Sequence, residues 1–194
     1  MRLVLLPGLD GTGELFESFL KALPSSLTPQ VVSYPTEQYL TYKELVSLVQ
    51  SVLPRKEPFV LLGESFGGPL SIKVAALSPP NLRAVILCAS FVSNPVPPSL
   101  TWAASLPRPL LSLVGHLSVP DMFVRFFAVG MDSPQDLLDL FHCVKKKVRP
   151  KVLAEGYEQY KRLTLVKRSR AVLSQSYISG QSRTALSHQS VLMT

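Results

Sequence analysis

Few folds accommodate the order Phe59-Val60-Leu61-Leu62-Gly63-Glu64-Ser65-Phe66-Gly67-Gly68-Pro69. Phe59 to Leu62 is a continuous apolar run after Pro58, which predicts a strand buried on both faces. Gly63-Glu64-Ser65-Phe66-Gly67 then has the spacing G-x-S-x-G. A serine at the tip of a sharp strand-to-helix turn sits in strained backbone, so its neighbours two residues away must be small. Pro69 to Leu77 predicts the helix that follows, with Pro69 tolerated in a first turn that has no intrahelical partner for its nitrogen. Such a helix directs its free N–H groups and positive dipole end at Ser65. A solvated serine cap in a Gly-rich turn would not require the buried strand before it.

Upstream, Leu3 to Leu6 predicts a first buried strand. Pro7-Gly8-Leu9-Asp10-Gly11-Thr12-Gly13 leaves it as a Gly-rich loop, and Glu14 to Leu23 follows with a helical face and Thr12 or Asp10 as its cap. The loop lacks the G-K-[ST] ending of a phosphate loop and the G-x-G-x-x-G of a dinucleotide site. Val31 to Tyr34 predicts a second strand, Tyr42 to Leu53 a helix, and Val85 to Ala89 a fourth strand. Strands alternating with helices predict a parallel sheet.

Beyond residue 93 the pattern changes. Asn94 to Pro109 holds five prolines and reads as a linker. Leu110–Val114, Met122–Val129, Leu137–Val144 and Val152–Leu163 then read as helices, the third capped by Asp132 or Ser133 with Pro134 in its first turn. The expected division is a core at 1–92, a helical lid at 93–166 and an irregular, basic-to-polar tail at 167–194. A lid after the fourth strand would cover the carboxyl end of the sheet, where such folds hold ligands.

Charge and cysteine content narrow the class. Residues 1–139 carry nine Lys and Arg against eleven Asp and Glu, whereas residues 140–194 carry eleven against two. No aromatic or base-reading motif accompanies the basic part, so a solvated basic surface is expected and no nucleic-acid partner. No apolar run reaches the length of a membrane span, and Pro7-Gly8 ends the first apolar run too early for a signal peptide. A cytoplasmic protein is expected, with Cys88 and Cys143 as thiols and Cys88 a buried small hydrophobe.

With the elbow and the first loop in view, the chain resembles the α/β-hydrolase fold family. The matching residues are Leu3–Leu6 into Pro7-Gly8-Leu9-Asp10-Gly11, and Gly63-Glu64-Ser65-Phe66-Gly67 with the intervening strand and helix order. The implied fold class is α/β: a parallel sheet of about four visible strands with a helical lid insertion, C-terminally incomplete. The resemblance implies Ser65 as the nucleophile, with the N–H groups of Leu9 and Phe66 forming the oxyanion hole. It implies a serine hydrolase acting on a small apolar carboxylic ester or thioester through an acyl-serine intermediate, without metal or organic cofactor. An acyltransferase using the same serine is the near variant.

The family order continues with an acid and then a histidine. No Asp or Glu follows Glu158, and the one late histidine, His188, is the possible base. His116, His142 and Asp121 fall within the expected lid, and Glu64 is a poor triad acid because adjacent strand side chains point oppositely. The alternative reading is a truncated, inactive binder. Such a chain would show only the residual rate of about 10³–10⁴ over water that binding and an oxyanion hole supply. Its fourth strand would leave an open edge, with Ala171 to Ile178 as a weak filler.

Overall fold

The computed structural model describes residues 1–90, 121–125 and 130–161. The expected linker at 94–109, the helix at 110–114, the tail at 167–194, the filler at 171–178, His116 and His188 lie outside the described residues. Elements are numbered here over the described residues.

Four parallel strands form one sheet in the order β2-β1-β3-β4. They are β1 (Arg2–Leu6), β2 (Thr28–Val31), β3 (Phe59–Glu64) and β4 (Leu82–Cys88). β1 and β3 are the inner pair and are the most apolar, as a strand covered on both faces must be. Their side chains alternate between two clusters. Val4, Leu6, Phe59 and Leu61 pack towards α2 (Tyr42–Val52) and α3 (Gly67–Ala75). Leu3, Leu5, Val60 and Leu62 pack on the opposite face with Phe16 and Leu20.

The boundaries moved for identifiable reasons. The second strand was expected at 31–34 but pairs over Thr28–Val31, with Val32 and Tyr34 buried just beyond it. Pro29 hid it: proline is a poor strand residue except on an edge, and β2 is an edge strand. The first helix is split into a 3-10 turn at Glu14–Phe16 and α1 (Glu17–Ala22). Asp10 Oδ2 accepts from the Thr12 N–H and hydroxyl at 2.9 and 2.7 Å, and Thr12 Oγ1 accepts from Glu14 N–H at 3.2 Å. Neither expected residue is a helix cap: the N-caps are Gly13 and Phe16, without side-chain cap bonds, and this relay orders the loop that precedes them. Cys88 is exposed, not buried, because β4 is the outer strand among the described residues and Ile86 beside it is 45 % exposed.

The later helices are α4 (Asp121–Val124), α5 (Gln135–Lys147) and α6 (Pro150–Lys161). Pro134 is the N-cap of α5 rather than a first-turn residue, and no side chain caps that end. Leu138 and Val144 are buried along α5. Lys147 Nζ meets Glu14 Oε2 at 2.7 Å and Arg149 pairs with Glu37, so basic groups of this region face acids of the core. Among the described residues no helix is long and apolar enough to cross a membrane.

Candidate active site

β1 and β3 are parallel neighbours with Leu6 opposite Gly63, so the loops after them leave from the same end of the sheet. The chain reaches β2 on one side of this pair and β4 on the other. A crevice between two such diverging loops is where open α/β sheets bind ligands.

Ser65 stands between β3 and α3 with φ of 46°, the left-handed region that non-glycine residues rarely occupy. A strain of about 1–3 kcal/mol is offset by the surrounding bonds. Ser65 N–H donates to the Cys88 carbonyl at 3.0 Å, while its own carbonyl accepts from Gly68 N–H at 3.0 Å and from the Ser90 hydroxyl at 2.8 Å. The two small neighbours are sterically required. A Cβ on Gly63 would strike the Gly67 backbone, and one on Gly67 would strike the Leu6 carbonyl and lie 2.7 Å from the Pro7 oxygen. The spacing G-x-S-x-G thus reports the close approach of three backbone segments. α3 starts at Gly67, two residues earlier than Pro69 had suggested, and its N-terminus abuts the turn.

Two buried tyrosines pin the loops. Tyr34 donates its hydroxyl to the Pro7 carbonyl at 3.3 Å, and Tyr42 donates to the Phe66 carbonyl at 3.2 Å. Burial, then the nearby Tyr42, Asp10 and Glu64, push the Tyr34 hydroxyl well above its ordinary pKa, so it remains a donor. The Tyr42 ring stacks on Phe66 with centroids 4.7 Å apart.

A shallow, open cleft is lined by Leu9, Tyr34, Tyr39, Leu40, Phe66 and Val152, among others. Both positions implied for oxyanion donors, Leu9 and Phe66, border it, and α6 forms its roof. Gly156 of α6 presses on Leu9: a Cβ there would meet Leu9 Cδ1 well inside van der Waals contact. Gln159 Oε1, one turn on, accepts from the Tyr42 N–H at 2.7 Å. Gly156→Leu is therefore expected to lift α6 and lower stability by about 1–3 kcal/mol, by overpacking. Gly156→Ala should be near neutral, since the Leu9 tip can turn aside and alanine favours the helix by about 1 kcal/mol. Urea unfolding of the two variants separates these outcomes.

Among the described residues no hydrogen bond reaches the Ser65 hydroxyl. One acid–histidine pair is present among them: His142 Nε2 lies 2.8 Å from Asp121 Oδ1, and no hydrogen bond joins it to Ser65. Nothing local links residues 21 positions apart, so the sequence does not announce this pair. Glu64 was also passed over. Its carboxylate lies against Gly8, and burial first, then Asp10, push its pKa up to about 7, while the Gly8 N–H bond opposes that shift.

The sequence pattern of the Alpha/beta hydrolase family matches residues 3–185. This chain belongs to the alpha/beta hydrolase family. Within that family's reach, it is 31 % identical over 127 residues to Phytyl ester synthase 1, chloroplastic, of Arabidopsis thaliana, covering 61 % of this chain and 17 % of that protein. It is 34 % identical over 94 residues to the Pimeloyl-[acyl-carrier protein] methyl ester esterase of Proteus mirabilis, covering 45 % of this chain and 36 % of that protein. The chain thus spans well under half the length of either curated relative. Solved alpha/beta hydrolase-like structures agree on the fold. A lipase-esterase related protein from Clostridium acetobutylicum superposes with a TM-score of 0.62 at 14 % identity, over 88 % of this chain and 70 % of that one. An esterase from Exiguobacterium antarcticum gives 0.60 at 16 % identity, over 86 % and 68 %.

Proposed function

We propose that this chain carries a serine-hydrolase site for a carboxylic ester or thioester, working through an acyl-Ser65 intermediate. The observation that supports it best is the left-handed backbone of Ser65 at the tip between β3 and α3, beside the loop of β1. In this reading Ser65 Oγ bonds to the acyl carbon and the carbonyl electron pair moves onto oxygen. The N–H groups of Leu9 and Phe66 receive that oxyanion, each contributing about 2.7–4 kcal/mol to the transition state. The alcohol or thiol leaves with a proton, and water releases the acid. None of these steps calls for a cofactor. His188 is the proposed base, and the Asp121–His142 pair is its rival because it keeps the order serine, acid, histidine.

The aromatic and aliphatic walls of the cleft suit an apolar acyl group. The two curated relatives are named for ester chemistry on an acyl group, which supports the same substrate class here. Similarity to an ester synthase favours a second reading, transfer of the acyl group to an alcohol in place of water. A cytoplasmic setting goes with this proposal, where the exposed Cys88 and Cys143 would stay thiols.

A fluorophosphonate probe with mass spectrometry tests the proposal, run beside ester turnover with and without an added alcohol. The expected result is a single adduct on Ser65, absent in Ser65→Ala. Loss of labelling in His188→Ala identifies His188 as the base; loss in His142→Ala instead identifies the pair. A new ester in the presence of alcohol selects the transferase. A folded wild-type chain that neither labels nor turns over overturns the hydrolase reading and leaves a non-catalytic binder.

A further inference from the structure

Glu64 is an unexpected residue at the end of an otherwise apolar inner strand. Leu6 pairs with Gly63 at the end of β1 and β3, and just beyond it the Glu64 side chain reaches Gly8. The Glu64 carboxylate lies against Gly8, its Oε2 2.6 Å from where a Gly8 Cβ would be. Any side chain at position 8 would displace it. Asp10 Oδ1 lies 3.3 Å from the same point, while Asp10 Oδ2 is committed to Thr12. Two carboxylates therefore flank Gly8, within a turn closed by Gly11 N–H on the Gly8 carbonyl at 3.1 Å. Leu9 lies between Gly8 and Asp10, inside that turn.

We propose that Glu64 is a positioning residue, whose carboxylate packs against Gly8 and so holds in place the turn that carries the Leu9 N–H, beside the Ser65 turn. The proposal rests on the hydrolase reading for what the Leu9 N–H does, and on geometry alone for how it is held. The arrangement also responds to pH. Glu64 is pushed up to about 7 by burial and by Asp10. The other ionisable groups that feel it are Tyr34, from the loop after β2, and Cys88, at the end of β4. Both are neutral through the range in which Glu64 titrates, their own pKa values being raised. As pH falls through about 7, Glu64 gains its proton, the attraction between its charge and the polar backbone of the Gly8 turn weakens, and the Leu9 turn loosens.

The test is nuclear magnetic resonance on the ¹⁵N-labelled full chain, following the Gly8 and Leu9 amides from about pH 5 to 9, which brackets the shifted carboxylate. Both amides should titrate together with a midpoint near 7, the value set by Glu64. In the near-isosteric Glu64→Gln variant the titration should vanish at both. In Asp10→Asn, which leaves Glu64 in place, the midpoint should fall as the like charge is removed, while burial keeps it above the ordinary carboxylate range. Amides that stay flat in the wild type overturn the proposal, and so does a titration that survives in Glu64→Gln. Movement of Gly8 without Leu9 overturns the positioning role. Fluorophosphonate labelling of Ser65 in the same samples decides the hydrolase reading separately, since the amide titration does not depend on whether Ser65 reacts.

Discussion

Gly67→Val is expected to leave the chain without a cooperative unfolding transition. The new Cβ would strike the Leu6 carbonyl and crowd the Pro7 oxygen, both backbone atoms. Neither can turn aside as a flexible side chain would. Leu6 is fully buried and hydrogen-bonded within the sheet, so β1 cannot retreat without opening both core clusters. The cost therefore falls in the exceptional class above about 4–5 kcal/mol. That is comparable with the whole stability of a domain, about 5–15 kcal/mol. Gly130→Ala is the control. Its φ of 101° is strained for alanine, but the nearest atom, Ser133 Oγ, is 3.5 Å away. It should cost only about 1–2 kcal/mol. Circular dichroism with urea titration reads both. A Gly67→Val protein that unfolds like the wild type would contradict the packing of the turn against β1.

Phe66→Ala is expected to lower stability by about 3–5 kcal/mol, the usual range for a buried aromatic. Phe66 is 3 % exposed, stacks on Tyr42 and meets Tyr34 edge-on with centroids 6.5 Å apart. Removing it leaves a void beside the cleft and loosens the residue that follows Ser65. Tyr42→Phe keeps the stack but loses the hydroxyl bond to the Phe66 carbonyl, a smaller change of about 0.5–1.5 kcal/mol. The double variant should show coupling, because both changes act on the same contact. Equilibrium urea curves give all three values, and a Phe66→Ala loss below about 1 kcal/mol would contradict the role of the ring as a core residue.

What could be read from the chain alone was governed by sterics over a few residues. The run Phe59–Leu62, the small residues at 63 and 67 and the proline at 69 together require a buried strand, a tight turn and a helix start. The same holds for Leu3–Leu6 and its Gly-rich exit, and for Tyr42–Val52, where Thr41 and Glu44 form a reciprocal cap. The proposed donor positions, Leu9 and Phe66, are taken from local motifs, each at a fixed offset from a Gly-rich turn.

The tertiary structure decided what depends on partners distant in the chain. Pro29 concealed β2, since only the position of that strand at the sheet edge makes a proline acceptable there. Cys88 reads as buried from its apolar neighbours and is exposed because β4 is the outer strand among the described residues. The pairing of Asp121 with His142, and the seating of Gly156 on Leu9, arise from helix packing that no nearby residue announces. Glu64 shows the division most clearly. Alternation along β3 says only which way its side chain points; that it meets Gly8 and Asp10 follows from the register of β3 against β1. Backbone sterics act between neighbours and are written locally, whereas register and burial are properties of surfaces that exist only once the sheet has formed.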